Sequence, residues 1–256
     1  MILGIKRSSL VAANALACFV VLACGGGTGE NHGRLLDTRA EPQGFRAPRA
    51  PGDRTLVPAG SYSTNFDQIE KPISEGGIWS RANNAWTDVQ TKGGVAYGSN
   101  GITNSYDDSY ALLKGTFGAD QTAEAVIERD QKLTPGTTHE VALLLRFSDD
   151  NGNARGYECL FNYAGGIQIV RWNGAMGEFT VLPIRVNGSI GRNLITGDVI
   201  RASIIGNVIS TYINGTLRAQ AVDSTYATGR PGISFFVRPD GSPLLFGRDL
   251  VAGQPQ

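Results

Sequence analysis

The chain has few of the residues that carry the commonest site chemistries. Of 256 residues, 3 are cysteine and 2 are histidine. His139 is the only histidine past residue 60, which excludes a multi-histidine zinc site and leaves one imidazole as a base for any Ser or Cys triad. Net charge is absent as well, with 23 basic against 23 acidic side chains. A chain that tracks nucleic acid needs a basic surface, so that class is excluded. At 18% the charged residues are too few for a long coiled coil, and at 41% the hydrophobic ones are too many for wholesale disorder. There is no G-x-S-x-G elbow and no phosphate-cradling Gly loop leading into a helix. What the chain has in excess is glycine, 34 residues, nearly twice the usual share of about 7%.

The N-terminus reads as an address. Lys6 and Arg7 precede an apolar run over residues 10–22, broken by Asn14. That run is too short to span a bilayer, which takes about 20 residues, and fits the hydrophobic region of a signal peptide. It ends in Val21-Leu22-Ala23-Cys24 followed by three glycines. This resembles the lipobox of bacterial lipoproteins, with Leu22 a mild departure. The resemblance implies cleavage before Cys24 and a diacylglycerol on its sulfur, a two-chain anchor. Ala17-Cys18 is a second small-Cys pair, but apolar residues follow it. Gly25 stands where an Asp would signal inner-membrane retention, so the expected location is the outer membrane or cell surface. A plain secretory signal is the alternative, and the protein is then secreted. Losing Lys6 and Arg7 leaves 21 basic against 23 acidic side chains. Cys159 becomes the only unmodified cysteine, so no internal disulfide is expected. Residues 24–60 carry Pro42, Pro48, Pro51 and Pro58 with Arg34, Arg39, Arg46, Arg49 and Arg54 among acids. They read as a disordered tether, in which His32 is solvated.

Residues 61–256 read as one all-β domain. Short segments rich in Val, Ile, Phe, Tyr and Thr are expected as strands over residues 123–128, 140–148, 156–163, 167–172, 178–186, 199–205, 208–213, 232–238 and 244–250. Between them fall Asn151-Gly152, Gly165-Gly166, Asn173-Gly174, Asn187-Gly188, Gly206-Asn207, Asn214-Gly215 and Asp240-Gly241. Such pairs favour the positive backbone angles of tight hairpins. No long segment carries a capped helical stripe. An antiparallel sandwich or barrel follows. Asn187-Gly188-Ser189 and Asn214-Gly215-Thr216 match glycosylation acceptors but read as turns.

Asn65-Phe66-Asp67, Gly77-Ile78-Trp79, Trp86-Thr87-Asp88-Val89 and Gly93-Gly94-Val95-Ala96 resemble the opening of a concanavalin A-like jelly roll, the lectin, glucanase and laminin-G superfamily. The run 141–149, Gly156-Tyr157-Glu158, Gly197-Asp198-Val199-Ile200-Arg201, the run 212–217 and Gly229-Arg230-Pro231-Gly232-Ile233 are similar to its central and late strands. The resemblance covers residues 62–251. It implies a two-sheet jelly-roll sandwich whose concave outer face holds a ligand in carbohydrate-active members. It does not choose among lectins, binding modules, hydrolases and lyases.

Alternation locates that face. Val141, Leu143, Leu145 and Phe147 share one side, as do Tyr157, Cys159, Phe161 and Tyr163, and as do Ile167 and Ile169. These apolar sets belong to the core, and Cys159 there is an inert thiol. The opposite side gathers Arg146, Glu158, Asn162, Gln168 and Trp172. Such a face suits a sugar, whose hydroxyls take fixed donors and acceptors and whose C–H face stacks on an indole. The competing reading is an ordinary solvated face with an Arg146–Glu158 ion pair.

Catalytic motifs are weak. Glu128-Arg129-Asp130-Gln131-Lys132 approaches the E-x-D-x-E of hydrolases of this fold, but Lys132 replaces the third acid. A lyase needs a cationic or amide neutraliser, for which Arg146, Asn162 and Gln168 are candidates, and a base, for which His139, Tyr106 and Tyr110 are candidates. The Gln-Ile-His triplet of such lyases is missing. Calcium ligands are available in Asp149-Asp150-Asn151-Gly152-Asn153 and Tyr106-Asp107-Asp108, though without an EF-hand's closing Glu. The expectation is therefore a surface-anchored, non-catalytic carbohydrate-binding module that takes a polysaccharide or glycan, touches the membrane through its lipid and binds no nucleic acid. A lyase or hydrolase of the same fold and a protein-binding adhesive module are the alternatives.

Overall fold

A computed structural model of the protein describes residues 60–81, 86–99, 107–129, 139–237, 244–246 and 250–253. The expected leader with Cys24, the expected tether up to residue 59, Tyr106, Asp130, Gln131, Lys132 and the expected turn at Asp240-Gly241 lie outside the described residues. In chain order the strands are β1 (Tyr62–Thr64), β2 (Ile69–Glu70), β3 (Trp79–Arg81), β4 (Val89–Lys92), β5 (Ala96–Gly98), β6 (Asp107–Leu113), β7 (Gln121–Arg129), β8 (Glu140–Asp150) and β9 (Asn153–Asn162). They continue with β10 (Ile167–Gly174), β11 (Phe179–Val181), β12 (Val199–Ile205), β13 (Val208–Ile213), β14 (Thr216–Val222), β15 (Arg230–Val237), β16 (Leu244–Phe246) and β17 (Leu250–Gly253).

The pairings make two sheets. One has seven strands in the order β11-β10-β9-β8-β15-β6-β3. The other has ten, running β14-β13-β12-β7-β16-β5-β4-β2, with β17 pairing β7 and β1. All strand pairings are antiparallel, and β15 enters between β8 and β6, far from it in sequence. Among the described residues there is no helix. Alternating residues of the two sheets meet between them. Val141, Leu143, Leu145, Tyr157, Cys159, Phe161, Ile167, Ile169, Ile233 and Phe235 face Ala123, Ala125, Ile127, Ile200, Ala202, Ile204, Ile209 and Ile213 in one continuous core.

Hairpin chemistry is read correctly at β8–β9, where Asn151 and Gly152 have φ of 49° and 94°, and at β13–β14, where Asn214 and Gly215 have φ of 48° and 75°. Asn173-Gly174 is different: both residues pair inside β10 rather than turning. The strand expected over 178–186 shrinks to β11, because Pro183 cannot donate to a ladder. The chain beyond it straps the sandwich shut. Leu182 N–H reaches Ile169 O at 2.9 Å, Arg185 N–H reaches Gln220 O at 2.7 Å, and Gly188 N–H reaches Arg218 O at 2.9 Å. This strap joins β10 of one sheet to β14 of the other. β14 was not among the expected strands, since Arg218 and Gln220 interrupt its apolar pattern.

Candidate functional site

The outer face of the seven-stranded sheet is built from β10, β9, β8, β15 and β6, and its rows follow from register. Glu140 stands beside Asn162, Leu160 beside Ala142 and Gln168, and Glu158 beside Leu144 and Val170. Trp172 stands beside Gly156 and Phe179. Four of the five residues expected on this face are therefore there: Glu158, Asn162, Gln168 and Trp172.

Arg146 is not, and the reason is a bulge. Leu145 pairs with Tyr157 and Ser148 with Arg155, so Arg146 and Phe147 together oppose Gly156. Arg146 takes a left-handed φ of 46°, and alternation beyond it is reversed. Phe147 moves to the outer face, where it joins Trp86, Tyr110, Leu112, Leu144, Ala154, Val170 and Trp172 in a second apolar cluster. Arg146 turns away, 4% exposed. Its Nε donates to Ala119 O at 2.6 Å, Nη1 to Tyr226 O at 3.0 Å and Nη2 to Gly206 O at 2.7 Å. The expected Arg146–Glu158 ion pair does not form. Arg146 instead pins three interstrand connections, 3.7 Å from Asp120.

Trp172 also differs from an open stacking platform. It is 4% exposed, with Trp86 packed edge-on at 4.7 Å and Phe179 tilted against it at 5.3 Å between ring centroids. Its Nε1 donates to Glu158 Oε2 at 2.7 Å. Burial pushes the Glu158 carboxyl up, and hydrogen bonds from Trp172 and Ser234 oppose that rise. The aromatic that does reach solvent is Phe179, 49% exposed on the edge strand, with Val181 beside it equally exposed. Sequence reasoning passed over Phe179. Its position two residues from Val181 in a β-prone run was the available signal.

At the other end the face is open. A cleft of about 260 Å³ is lined by Glu140, Leu160, Asn162, Gly166, Ile167, Gln168 and Gly188. Gly188 comes from the strap, and its carbonyl accepts the Ile167 N–H at 2.8 Å beside the cleft. Asn162 Nδ2 donates to Glu140 Oε1 at 3.1 Å, while Asn162 Oδ1 accepts the Ala164 N–H at 2.8 Å. One amide N–H of Asn162 and the exposed amide of Gln168 are left for a ligand. Burial pushes the Glu140 carboxyl up to about 7; the Asn162 hydrogen bond draws it down and the Glu158 charge adds to the rise. Glu140 was missed because it was read only as the start of a strand.

The remaining candidates fall elsewhere. Glu128 lies on β7 of the larger sheet, not on this face. His139 is fully buried, and Tyr110 is buried in the second apolar cluster. Cys159 is buried in the core, where burial raises its thiol pKa. Asp149 to Asn153 form the β8–β9 turn, with the Asp149 carboxylate accepting the Gly152 N–H at 3.0 Å, and Asp107 and Asp108 open β6. Among the described residues no three His, Cys, Asp or Glu side chains gather as a metal site would need.

No family model matches the chain, and no curated protein matches it. Solved structures do. A carbohydrate-binding module of Bacillus subtilis, CBM66, superposes with a TM-score of 0.52 at 17% identity, over 72% of this chain and 99% of that one. A Bacillus subtilis protein of unknown function with a galectin-like fold superposes with a TM-score of 0.51 at 10% identity, over 76% of this chain and 96% of that one. At these identities the likeness is one of fold. The domain is a concanavalin A-like jelly roll, as the sequence resemblance implied, and its structural neighbours include carbohydrate-binding and lectin-like domains.

Proposed function

We propose that the protein is a lipid-anchored surface protein whose jelly roll is a non-catalytic carbohydrate-binding module. The anchor rests on the Leu22-Ala23-Cys24 context, and the expected location is the bacterial outer membrane or cell surface. The observation that carries the binding reading is the cleft on the outer face. Glu140, Asn162 and Gln168 supply fixed polar groups beside apolar Leu160. Phe179 and Val181 extend the same face as an exposed apolar edge on which a sugar ring can lie. Trp172 and Glu158 back that edge from beneath: the indole supports Phe179, and the carboxylate orients the indole. Mixed polar and apolar surface in one concavity is what a saccharide requires.

A hydrolase of the same fold is the second reading, favoured by one observation, the raised Glu140 carboxyl in the cleft, since a general acid must hold its proton near neutral pH. Its partner is harder to find, because Glu158 is committed to Trp172 and Ser234. The lyase reading loses its strongest neutraliser, the Arg146 guanidinium, to three backbone carbonyls.

The test is glycan-array binding by the full-length protein together with assays for new reducing ends and unsaturated products. Retention on a glycan without turnover is expected, and Gln168→Ala and Phe179→Ala are each expected to weaken it. Turnover of any polysaccharide would sink the non-catalytic reading. Absence of binding across the array would favour a protein partner. Cys24→Ser is expected to release the protein from the membrane fraction.

A further inference from the structure

The open cleft has a charge problem. Its lining holds one carboxylate, Glu140, and no lysine or arginine. The groups that face Glu140 from its neighbours supply no positive charge. From β9 come Asn162, which donates one N–H at 3.1 Å, and Glu158, whose negative charge acts on it. From β15 comes Phe236, its register partner. One strand further, Asp108 of β6 pairs with Phe236 and shares the outer face by alternation with Tyr110. Among the described side chains of this face the cation is Arg230, paired with Phe147 at the opposite end of β8. That is about 20 Å from Glu140 by strand rise, and its guanidinium is held by Ser80 Oγ at 3.2 Å. A carboxylate drawn out of water is stabilised by an opposite charge or by several donors. Glu140 has neither in full.

We propose that this cleft takes a glycan bearing free amines, an aminosugar chain, with the Glu140 carboxylate as the counter-ion of a ligand ammonium. The inference rests on the carbohydrate-binding reading and names the ligand class for the same site. An ammonium supplies a compact positive charge with three donors, matching one carboxylate oxygen and the side-chain carbonyl of Gln168. Leu160 takes the C–H face of the same ring. The arrangement also selects against acidic polysaccharides, because a uronate carboxylate would be brought up to Glu140 and Glu158 with no cation among the described lining residues. The upward push on the Glu140 carboxyl is the expected mark of a site waiting for its cation.

The experiment is calorimetric titration of the full-length protein at neutral pH with three probes: a β-1,4-linked glucosamine hexamer, its fully N-acetylated form and a galacturonate hexamer. The amine-bearing hexamer is expected to bind about tenfold more tightly than the acetylated one, since a charge-assisted contact replaces a neutral one. The galacturonate is expected not to bind. Glu140→Gln keeps the shape and removes the charge, so it should bring the affinities of the two hexamers together. Gln168→Ala should weaken both hexamers together. Equal affinity for the two hexamers, or a preference that survives Glu140→Gln, overturns the aminosugar inference and leaves the carbohydrate-binding reading standing. Failure to bind either hexamer or any member of a neutral-glycan array overturns both.

Discussion

The two ends of one sheet face have been put to opposite uses. At the β6–β15 end and along β10, Trp86, Tyr110, Phe147 and Trp172 close into an apolar cluster, the first two rings packed edge-on at 4.9 Å. At the Glu140–Asn162 end the same strands carry a carboxylate, two amides and an open cleft. Both ends have the same backbone geometry and alternation. What separates them is what covers them. Trp86, from the segment after β3, lies over one end, and the bulge in β8 adds Phe147 beneath it. Among the described residues, Gly188 of the strap is what reaches the other end. Half of the outer face has thus become a second small core, and the proposed site is confined to the half that remains.

The largest expected effect comes from breaking the closed end. Phe147→Ala removes a ring that is 1% exposed and should cost about 3–5 kcal/mol in urea unfolding, the range for a buried aromatic truncated to Ala. Gln168→Ala at the open end should stay within about 0.5 kcal/mol, as exposed sites do. Comparable losses at the two positions would erase the distinction between the ends. Next comes Arg146→Ala, expected to cost about 3 kcal/mol, because three backbone carbonyls lose at once the charged donor they share. Glycan retention by the folded fraction should not change. A variant that keeps its stability but loses retention would return the guanidinium to the groove.

Arg146 also shows where the sequence stops being legible. An antiparallel sandwich or barrel could be read from strand spacing, Asn-Gly corners and apolar alternation, the jelly roll was what the resemblance of particular segments implied, and the core side of β9 and β10 followed from a period of two. The period fails at one extra residue, and everything downstream on β8 changes sides. Gly156 was the visible warning. It sits mid-strand with φ of 139°, and a Cβ there would lie 2.5 Å from Phe147 Cα. Gly229, on the other flank, would put a Cβ 2.1 Å from the Arg146 carbonyl carbon. Glycine inside a strand marks a bulge or a close backbone approach, and here it marks both. Trp172 was placed on the right face but not under its cover, because burial by Trp86 is a tertiary contact between residues 86 positions apart. The cleft was hidden for the same reason: Gly188 reaches it only through the strap.

The smallest effect bears on the open end alone, through pH. The Glu140 carboxyl is held at about 7 in the folded protein against an ordinary 4.5, so the folded state binds the proton more tightly than the unfolded chain. The stability this contributes is fully present below pH 4.5 and is lost as pH rises toward 7 and beyond. At about 1.4 kcal/mol per pKa unit its upper bound is about 3 kcal/mol, which solvent at this part-exposed group reduces. Glu140→Gln carries no such proton, so its unfolding free energy relative to the parent should climb across that window and then level off. Glu158, also raised by burial, contributes in the same direction, and because its charge acts on Glu140 the difference reports the coupled pair. A glucosamine hexamer added to the parent should flatten its decline as the variant does, because a bound ammonium stabilises the ionised carboxylate that burial penalises. If parent and variant run parallel from pH 4.5 to 8, Glu140 is solvated in solution, and the open end is then an ordinary wet sheet surface rather than the uncovered counterpart of the closed one.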